Sequence, residues 1–322
     1  MRILSGMQPT GKPHLGNYLG AMRQHVEMQD DPKNECFYFL ANYHALTTVK
    51  DGEKLTKMTQ DLAIDYLALG IDPEKTAFFL QSDVPEVTEL TWIFNCILHF
   101  GMLERAHAWK DALEKGKKDP TVGLFNYPVL MAADILIYQP DLVPVGKDQK
   151  QHVEIARDIG QKFNTLYGET FKIPEPSIKK EVETVPGTDG EKMSKSYGNV
   201  IEFFEPEDVL KKQVMSIVTD STPIEEPKDP TKCNVFNIYK LIATDEETAE
   251  FKEKYEKGGF GYGDAKKELL NKILTTFEPF RKKRIELEKN LDYIEEVLKK
   301  GAEKARETAE ETMKIVREKT GL

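Results

Sequence analysis

Apolar residues in this chain come in short blocks separated by glycine, proline and charged turns, not in one long run. "RILSG" (2–6) reads as a buried strand ending at Gly6, followed by the turn-rich "MQPTGKPHLGN" and an amphipathic helical pattern through "YLGAMRQHVEMQ". The apolar run "CFYFLANYHAL" (36–46) leads into "DGEKLTKMTQDLAIDYLALG", a capped helix that stops at Gly70, and then into the strand "TAFFLQ" (76–81). Strand and helix in alternation predict a parallel sheet with right-handed crossovers. Residues 84–138 break the rhythm with three consecutive helical patterns around the lysine-rich "KDALEKGKKDP". The strand "LVPVG" (142–146) and the helix "QKQHVEIARDIGQKFNTLYG" restore it. The expected fold is α/β, a Rossmann-like doubly wound parallel sheet over 1–200 with a helical insertion over 84–138 between its halves.

Beyond residue 200 only helical periods remain. Val209, Leu210, Val214, Ile217 and Val218 share one face, Pro223, Pro227 and Pro230 mark a loop, and "NVFNIYKLIA" starts another helix. Leu269, Leu270, Ile273, Leu274 and Phe277 keep helical spacing up to Pro279, which predicts a kink or break. Ala302, Ala305, Ala309, Met313 and Val316 form a last stripe of the kind that packs. Residues 201–322 are thus expected to form an α-helical second domain.

Composition adds mainly exclusions. With 39% hydrophobic and 31% charged residues among 322, the chain reads as a globular protein able to bury a sizeable core. No apolar run approaches the ~20 residues of a membrane span. The N-terminus lacks the apolar region of a secretory signal, so a cytoplasmic location and no membrane partner are expected. Cys36, Cys96 and Cys233 are odd in number and far apart, which indicates neither a disulfide framework nor a zinc site. A net charge of −10 argues against binding polyanions through the overall field and leaves local patches. These are Lys115, Lys117 and Lys118, the run 281–284, and Lys299 with Lys300, each of which also suits a solvated helix face.

Two segments carry chemistry. "QPTGKPHLGN" (8–17) is a Gly/Pro-rich turn between a strand and a helix N-terminus, where backbone N–H groups and the helix dipole favour phosphate, with His14 and Asn17 directed at the occupant. It is neither GxxxxGK[ST] nor GxGxxG. "GTDGEKMSKSYGN" (187–199) holds two lysines around a serine with no apolar period, and by itself reads as a solvated basic loop.

Together they carry a resemblance. "HLGN" (14–17) resembles the HIGH signature of class I aminoacyl-tRNA synthetases, and "KMSKS" (192–196) matches the second signature of that class. "SGMQPTGKPHLGNYLGA", "YPVLMAADILIY", "PVGKDQKQH" and "VTDS" resemble the bacterial tryptophanyl members, along nearly the whole chain. In such enzymes a carboxylate attacks the α-phosphate of ATP, and the charge growing on pyrophosphate must be neutralised. The resemblance therefore implies Lys192 and Lys195 on the β- and γ-phosphates, with Met193, Ser194 and Ser196 lining the nucleotide and Gly187 and Gly190 letting the loop close. It implies that His14, Gly16 and Asn17, with Gln8, Pro9 and Thr10, hold ATP from the other side. Gly146, Lys147 and Asp148 fall under the ribose, Val185 beside the adenine, and Lys110 where a family lysine reaches the triphosphate. Asn17 stands where HIGH ends in histidine, and Lys147 where relatives often have glutamate.

Tyr127, Met131, Asp134 and Tyr138 fall at i, i+4, i+7 and i+11, one helical stripe in which a carboxylate among apolar neighbours needs a donor. An indole N–H is such a donor; a local backbone cap or a structural ion pair is the alternative. Met131, where tyrosyl relatives have glutamine, offers a polarizable wall for a flat bicycle. The resemblance further implies Tyr127 and Gln149 on the α-amino group and Leu4, Ile135, Val143 and Val145 lining the indole site. His44 falls at a pocket position, though it equally suits a satisfied core histidine. ATP with Mg²⁺, L-tryptophan and tRNA(Trp) are the implied substrates and partners, without an iron–sulfur cluster because only Cys233 lies in the helical region. The resemblance also implies a homodimer through the insertion and anticodon recognition by the helical region, with 281–284 as a candidate contact. A tyrosyl-tRNA synthetase, a nucleotidylyltransferase with an HxGH loop and a non-catalytic RNA-binding paralogue remain as alternatives.

Overall fold

Ile3 and Leu4, both buried, set the first strand, β1 (Arg2–Met7), from which the rest of the order follows. In the computed structural model, helix α1 (Leu15–Asn17) runs through a widened π turn at Tyr18–Met22 into α2 (Arg23–Gln29). Then come β2 (Glu35–Leu40), α3 (Asn42–Ala45), α4 (Gly52–Ala68), β3 (Thr76–Leu80), α5 (Glu86–Ile97), α6 (Phe100–Glu104), α7 (His107–Glu114) and α8 (Val122–Leu136). β4 (Leu142–Pro144), α9 (Lys150–Tyr167) and β5 (Glu175–Ser177) complete the sheet. The helical remainder is α10 (Glu207–Met215), α11 (Asn234–Tyr239), α12 (Asp245–Lys257), α13 (Tyr262–Leu287) and α14 (Leu291–Thr320). The structure describes all residues except Lys115, Lys117, Lys118, 147–149 and 178–184, with backbone alone at 108, 176 and 177.

Local chemistry accounts for the boundaries. Asp51 caps α4 by accepting from the Lys54 N–H at 3.0 Å, and the helix ends at Gly70, whose φ of +111° a side chain would resist. Thr121 caps α8 in the same way through the Leu124 N–H. Among the described residues the insertion contains four helices, α5 to α8, where the sequence pattern predicts three. Pro279 sits inside α13 without ending it.

Among the described residues the sheet has five parallel strands in the order β3-β2-β1-β4-β5, the doubly wound arrangement that the alternation predicts. β1 is central, and the chain winds to β2 and β3 on one side before reversing to β4 and β5 on the other. The carboxyl ends of strands beside such a reversal are where open α/β sheets hold ligands. β5 was not anticipated, because Glu-Pro-Ser has no apolar alternation; it is an edge strand fixed by pairing with β4, a place where proline is tolerated.

The chain packs into two compact units, Met1–Gly11 with His25–Lys180 and Asn290–Leu322, and Lys12–Gln24 with Glu181–Lys289. They are not divided at 200/201. In the first unit α14 lies on β3, and a Cβ added to Gly301 would stand 2.0 Å from the Phe78 carbonyl oxygen. The stripe of Gly301, Ala302, Ala305 and Ala309 is what lets helix backbone approach strand backbone this closely. Arg317 grips Glu89 of α5 through two hydrogen bonds of 2.8 and 2.5 Å, and Arg306 reaches Glu86 at 3.1 Å.

The second unit is built on Tyr18, Phe203 and Phe277, the last two stacked at 4.3 Å, with Leu210, Val214, Leu269 and Ile273 buried. In the basic run 281–284 the two arginines are half-buried on this unit, while Lys282 and Lys283 are exposed. Arg281 donates to the carbonyls of Phe203 and Glu205, Lys282 pairs with Glu278 at 2.6 Å, and Arg284 pairs with Glu288 and lies over the Phe204 ring.

Candidate active site

The second unit brings the two signature segments into contact. The Leu15 N–H bonds the Ile201 carbonyl at 3.0 Å, and a Cβ on Gly16 would come within 3.6 Å of the Met193 Cβ. The same added atom would stand 2.9 Å from two atoms of the His14 ring, so glycine at 16 is what lets the imidazole fold over the turn. His14 is buried, and its Nδ1 has no hydrogen-bond partner among the described residues. Burial, and then the nearby Lys195 charge, lower its pKa to about 4, so at neutral pH it is an uncharged donor and acceptor. Asn17 Oδ1 accepts from the His14 N–H at 3.1 Å, which leaves the Nδ2 donors as the part of Asn17 to offer a ligand.

The lysine segment is held as a tight hairpin. The Met193 N–H bonds the Val185 carbonyl at 2.9 Å, Gly187 N–H bonds the Glu191 carbonyl, and Gly190 turns at φ +91°. Asn199, almost fully buried, is the staple: its Oδ1 accepts from the Ser194 N–H at 2.7 Å, and its Nδ2 donates to the Lys192 carbonyl and the Asp189 carboxylate. A Cβ on Gly187 would be 2.3 Å from this side chain, so close packing on Asn199 is what demands glycine there. Met193 and Val185 are buried, Lys195 and Ser194 half-buried, and Lys192 and Ser196 exposed.

The first unit holds the aromatic stripe. Asp134, from α8, is 1% exposed and accepts from His44 Nε2 at 2.8 Å and from Gln81 Nε2 at 2.9 and 2.8 Å. Burial pushes its pKa up, against the pull of His44 and Gln81. His44 and Gln81 follow the carboxyl ends of β2 and β3. Asp134 thus has side-chain donors of its own in His44 and Gln81. Leu4, Ile135 and Val143 are buried, while Met131 and Val145 are partly buried against the same core. The Tyr127 hydroxyl pairs with His152 Nε2 at 2.6 Å, and its ring meets that of His44 edge-on at 6.1 Å. Tyr127 also lines a cleft of about 390 Å³ together with Tyr43, Leu46, Lys50, Thr91 and Leu130.

In the same unit Pro9 is buried, Gln8 half-buried, and Thr10, Gly146 and Lys110 exposed. Lys147, Asp148 and Gln149 lie outside the described residues, as do Lys115, Lys117 and Lys118. Sequence reasoning missed Gln81, His152 and Asn199. The pattern "TAFFLQ" makes Gln81 the last residue of a strand, and a polar residue at the carboxyl end of an apolar strand is itself a signal. Asn199 stood in the lysine segment without a role.

Comparison with known proteins bears on this arrangement. The family model "tRNA synthetases class I (W and Y)" matches residues 1–278. The tryptophan–tRNA ligase of Fusobacterium nucleatum is 55% identical over the whole of this chain and 98% of its own length. The crystal structure of tryptophanyl-tRNA synthetase from Campylobacter jejuni, complexed with ADP and tryptophan, superposes with a TM-score of 0.95 at 51% identity, covering 100% of both chains. That from Mycoplasma pneumoniae gives 0.83 at 30% identity, covering 100% of this chain and 98% of its own.

Proposed function

The chain belongs to the class I tRNA synthetases for tryptophan and tyrosine, and on that premise we propose that it activates L-tryptophan with ATP and transfers the product to tRNA(Trp). The tryptophan carboxylate attacks the α-phosphate in line, giving tryptophanyl adenylate and pyrophosphate; the terminal ribose hydroxyl of the tRNA then takes the acyl group and AMP leaves. The observation that carries this reading is the contact between the His14 turn and the lysine hairpin, which puts an uncharged imidazole, an amide and two lysines on one compact unit.

Lys192 and Lys195 neutralise the leaving pyrophosphate, where charge develops in the transition state, and His14 and the Asn17 amide donate to phosphate oxygens. Gly16, Met193, Ser194 and Ser196 complete the nucleotide contacts, with Val185 beside the adenine. Gln8, Pro9, Thr10 and Lys110 serve the triphosphate, and Gly146, Lys147 and Asp148 the ribose. Asp134 accepts the indole N–H, while Met131, Leu4, Ile135, Val143 and Val145 line the ring site with His44 at its edge. Tyr127 and Gln149 take the α-amino group. The ADP and tryptophan held by the Campylobacter jejuni relative support both halves of this assignment.

Mg²⁺ would enter with ATP and would supply positive charge against the phosphates, as suits an ion that keeps much of its water. The helical region after 200 serves the anticodon. A second copy of the chain covers the insertion, whose Trp92, Phe100 and Val122 are 69, 67 and 80% exposed. The use of tRNA in protein synthesis supports a cytoplasmic location.

ATP–pyrophosphate exchange measured with each amino acid separately tests the reading. Stimulation by tryptophan alone is expected; stimulation by tyrosine and not tryptophan overturns the specificity.

A further inference from the structure

Gln81 joins two elements through its two ends. Its side-chain carbonyl accepts from the Tyr43 and His44 N–H groups at 3.0 and 3.3 Å, capping the first turn of α3, while its amide NH₂ donates to both oxygens of Asp134. With backbone donors on one side and a carboxylate on the other, only one orientation of the amide satisfies both, so the assignment of oxygen and nitrogen follows from the network. The side chain is 1% exposed and cannot exchange these partners for water. A separate pair, Asn42 Nδ2 to Ser82 Oγ at 2.8 Å and Ser82 N–H to Asn42 Oδ1 at 3.0 Å, already fixes α3 against the turn after β3. Holding the backbone together is therefore not the particular task of Gln81.

A carboxylate has about four lone-pair positions. Those of Asp134 receive His44 and Gln81 at Oδ2 and Gln81 at Oδ1, which leaves one position, on Oδ1. We infer that Gln81 is the positioning residue of the amino-acid site, turning Asp134 so that this one position faces a single N–H donor of the substrate ring. The inference rests on Asp134 being the indole acceptor, as proposed above. The charged and titratable groups facing Asp134 are His44 from α3 and Tyr138 past the end of α8, with Glu86 of α5 acting on Tyr138. None of them replaces the two-point grip of an amide.

The test compares tryptophan with β-(benzothiophen-3-yl)alanine, a near-isostere in which sulfur replaces the ring N–H. Adenylate formation is measured with both amino acids in the wild type, Gln81→Glu and Gln81→Met. Gln81→Glu keeps an acceptor for α3 but loses the amide donors, so it separates capping from positioning; Gln81→Met loses both. The wild type is expected to prefer tryptophan roughly 10- to 100-fold in kcat/KM, the range of one hydrogen bond to a charged group. In both variants this preference should fall to within about threefold, with the KM for ATP unchanged. A variant that loses turnover while keeping the full preference shows Gln81 to be a scaffold only and overturns the inference, as do variants that behave like the wild type. Equal use of the two amino acids by the wild type removes the indole acceptor itself, a different failure read from a different protein, and takes the Gln81 inference with it.

Discussion

Replacing Asp134 by asparagine changes one oxygen into NH₂ and almost nothing in shape. Both oxygens already accept: Oδ2 from His44 and Gln81 at 2.8 Å each, Oδ1 from Gln81 at 2.9 Å. Whichever way the new amide is placed, its NH₂ faces an N–H donor in a site 1% exposed. If the NH₂ takes the Oδ1 position it also opposes the indole N–H. The loss combines a hydrogen bond to a charged group, about 1.5–3 kcal/mol, with a buried donor left unmatched, about 1–3 kcal/mol. These overlap, so a net of about 2–4 kcal/mol is expected, or about 30- to 700-fold in kcat/KM for tryptophan at 1.4 kcal/mol per factor of ten. Tryptophan-dependent pyrophosphate exchange at saturating ATP measures it, with a thermal melt to confirm the fold. A folded Asp134→Asn protein whose kcat/KM for tryptophan stays within threefold of wild type refutes the assignment of Asp134 as the indole acceptor.

Lys195→Ala should lower adenylate formation by about 10²–10³-fold, since it removes a cation from the developing pyrophosphate charge, yet leave tryptophan affinity by equilibrium dialysis unchanged; unaltered turnover would take the hairpin out of the mechanism. Gly301→Ala should destabilise the first unit by about 2–4 kcal/mol, because the new Cβ meets Phe78 backbone and not a movable side chain. An unchanged urea midpoint would count against the close approach of α14 to β3. His25, buried with its ring against Tyr38 and Tyr66, has its pKa lowered by burial from 6.5 to about 4. The unfolded chain therefore binds the extra proton first, so this contribution is complete above about pH 6.5 and is lost as pH falls towards 4, by about 2 kcal/mol between pH 7 and 5. Denaturant midpoints over that range should fall for the wild type and flatten for His25→Gln; parallel curves would reject the cause.

Much of the fold is legible in the sequence because β1 to β4 announce themselves by apolar blocks bounded by glycine, proline and charge. β5 does not, since its place comes from pairing with β4 and not from its own side chains. The last helix is plain as a helix, but its partner is not. Its stripe of Gly301, Ala302, Ala305 and Ala309 asks for a flat, closely approached surface, and only the folded chain shows that this is β3 of the first unit and not a neighbouring helix. The same limit applies in the site. His14, Lys192 and Lys195 are marked by signature strings, and Asp134 by a carboxylate in an apolar stripe. That Asp134 meets His44, 90 positions away, is a product of topology, since the turns after β2 and β3 deliver His44 and Gln81 to the same edge of the sheet. Asn199 lacked a role because a buried amide is recognised by its partners, here the Ser194 and Lys192 backbone and the Asp189 carboxylate, which only the folded loop gathers around it.

Aminoacylation with purified protein, ATP, Mg²⁺ and in vitro transcribed tRNA is the most direct measurement of the whole account, because it requires the nucleotide contacts, the ring pocket and the helical region together. The account predicts acid-precipitable tryptophan on tRNA(Trp) and none on tRNA(Tyr); tyrosine loaded onto tRNA(Tyr), or no transfer of tryptophan by a folded protein, would contradict it.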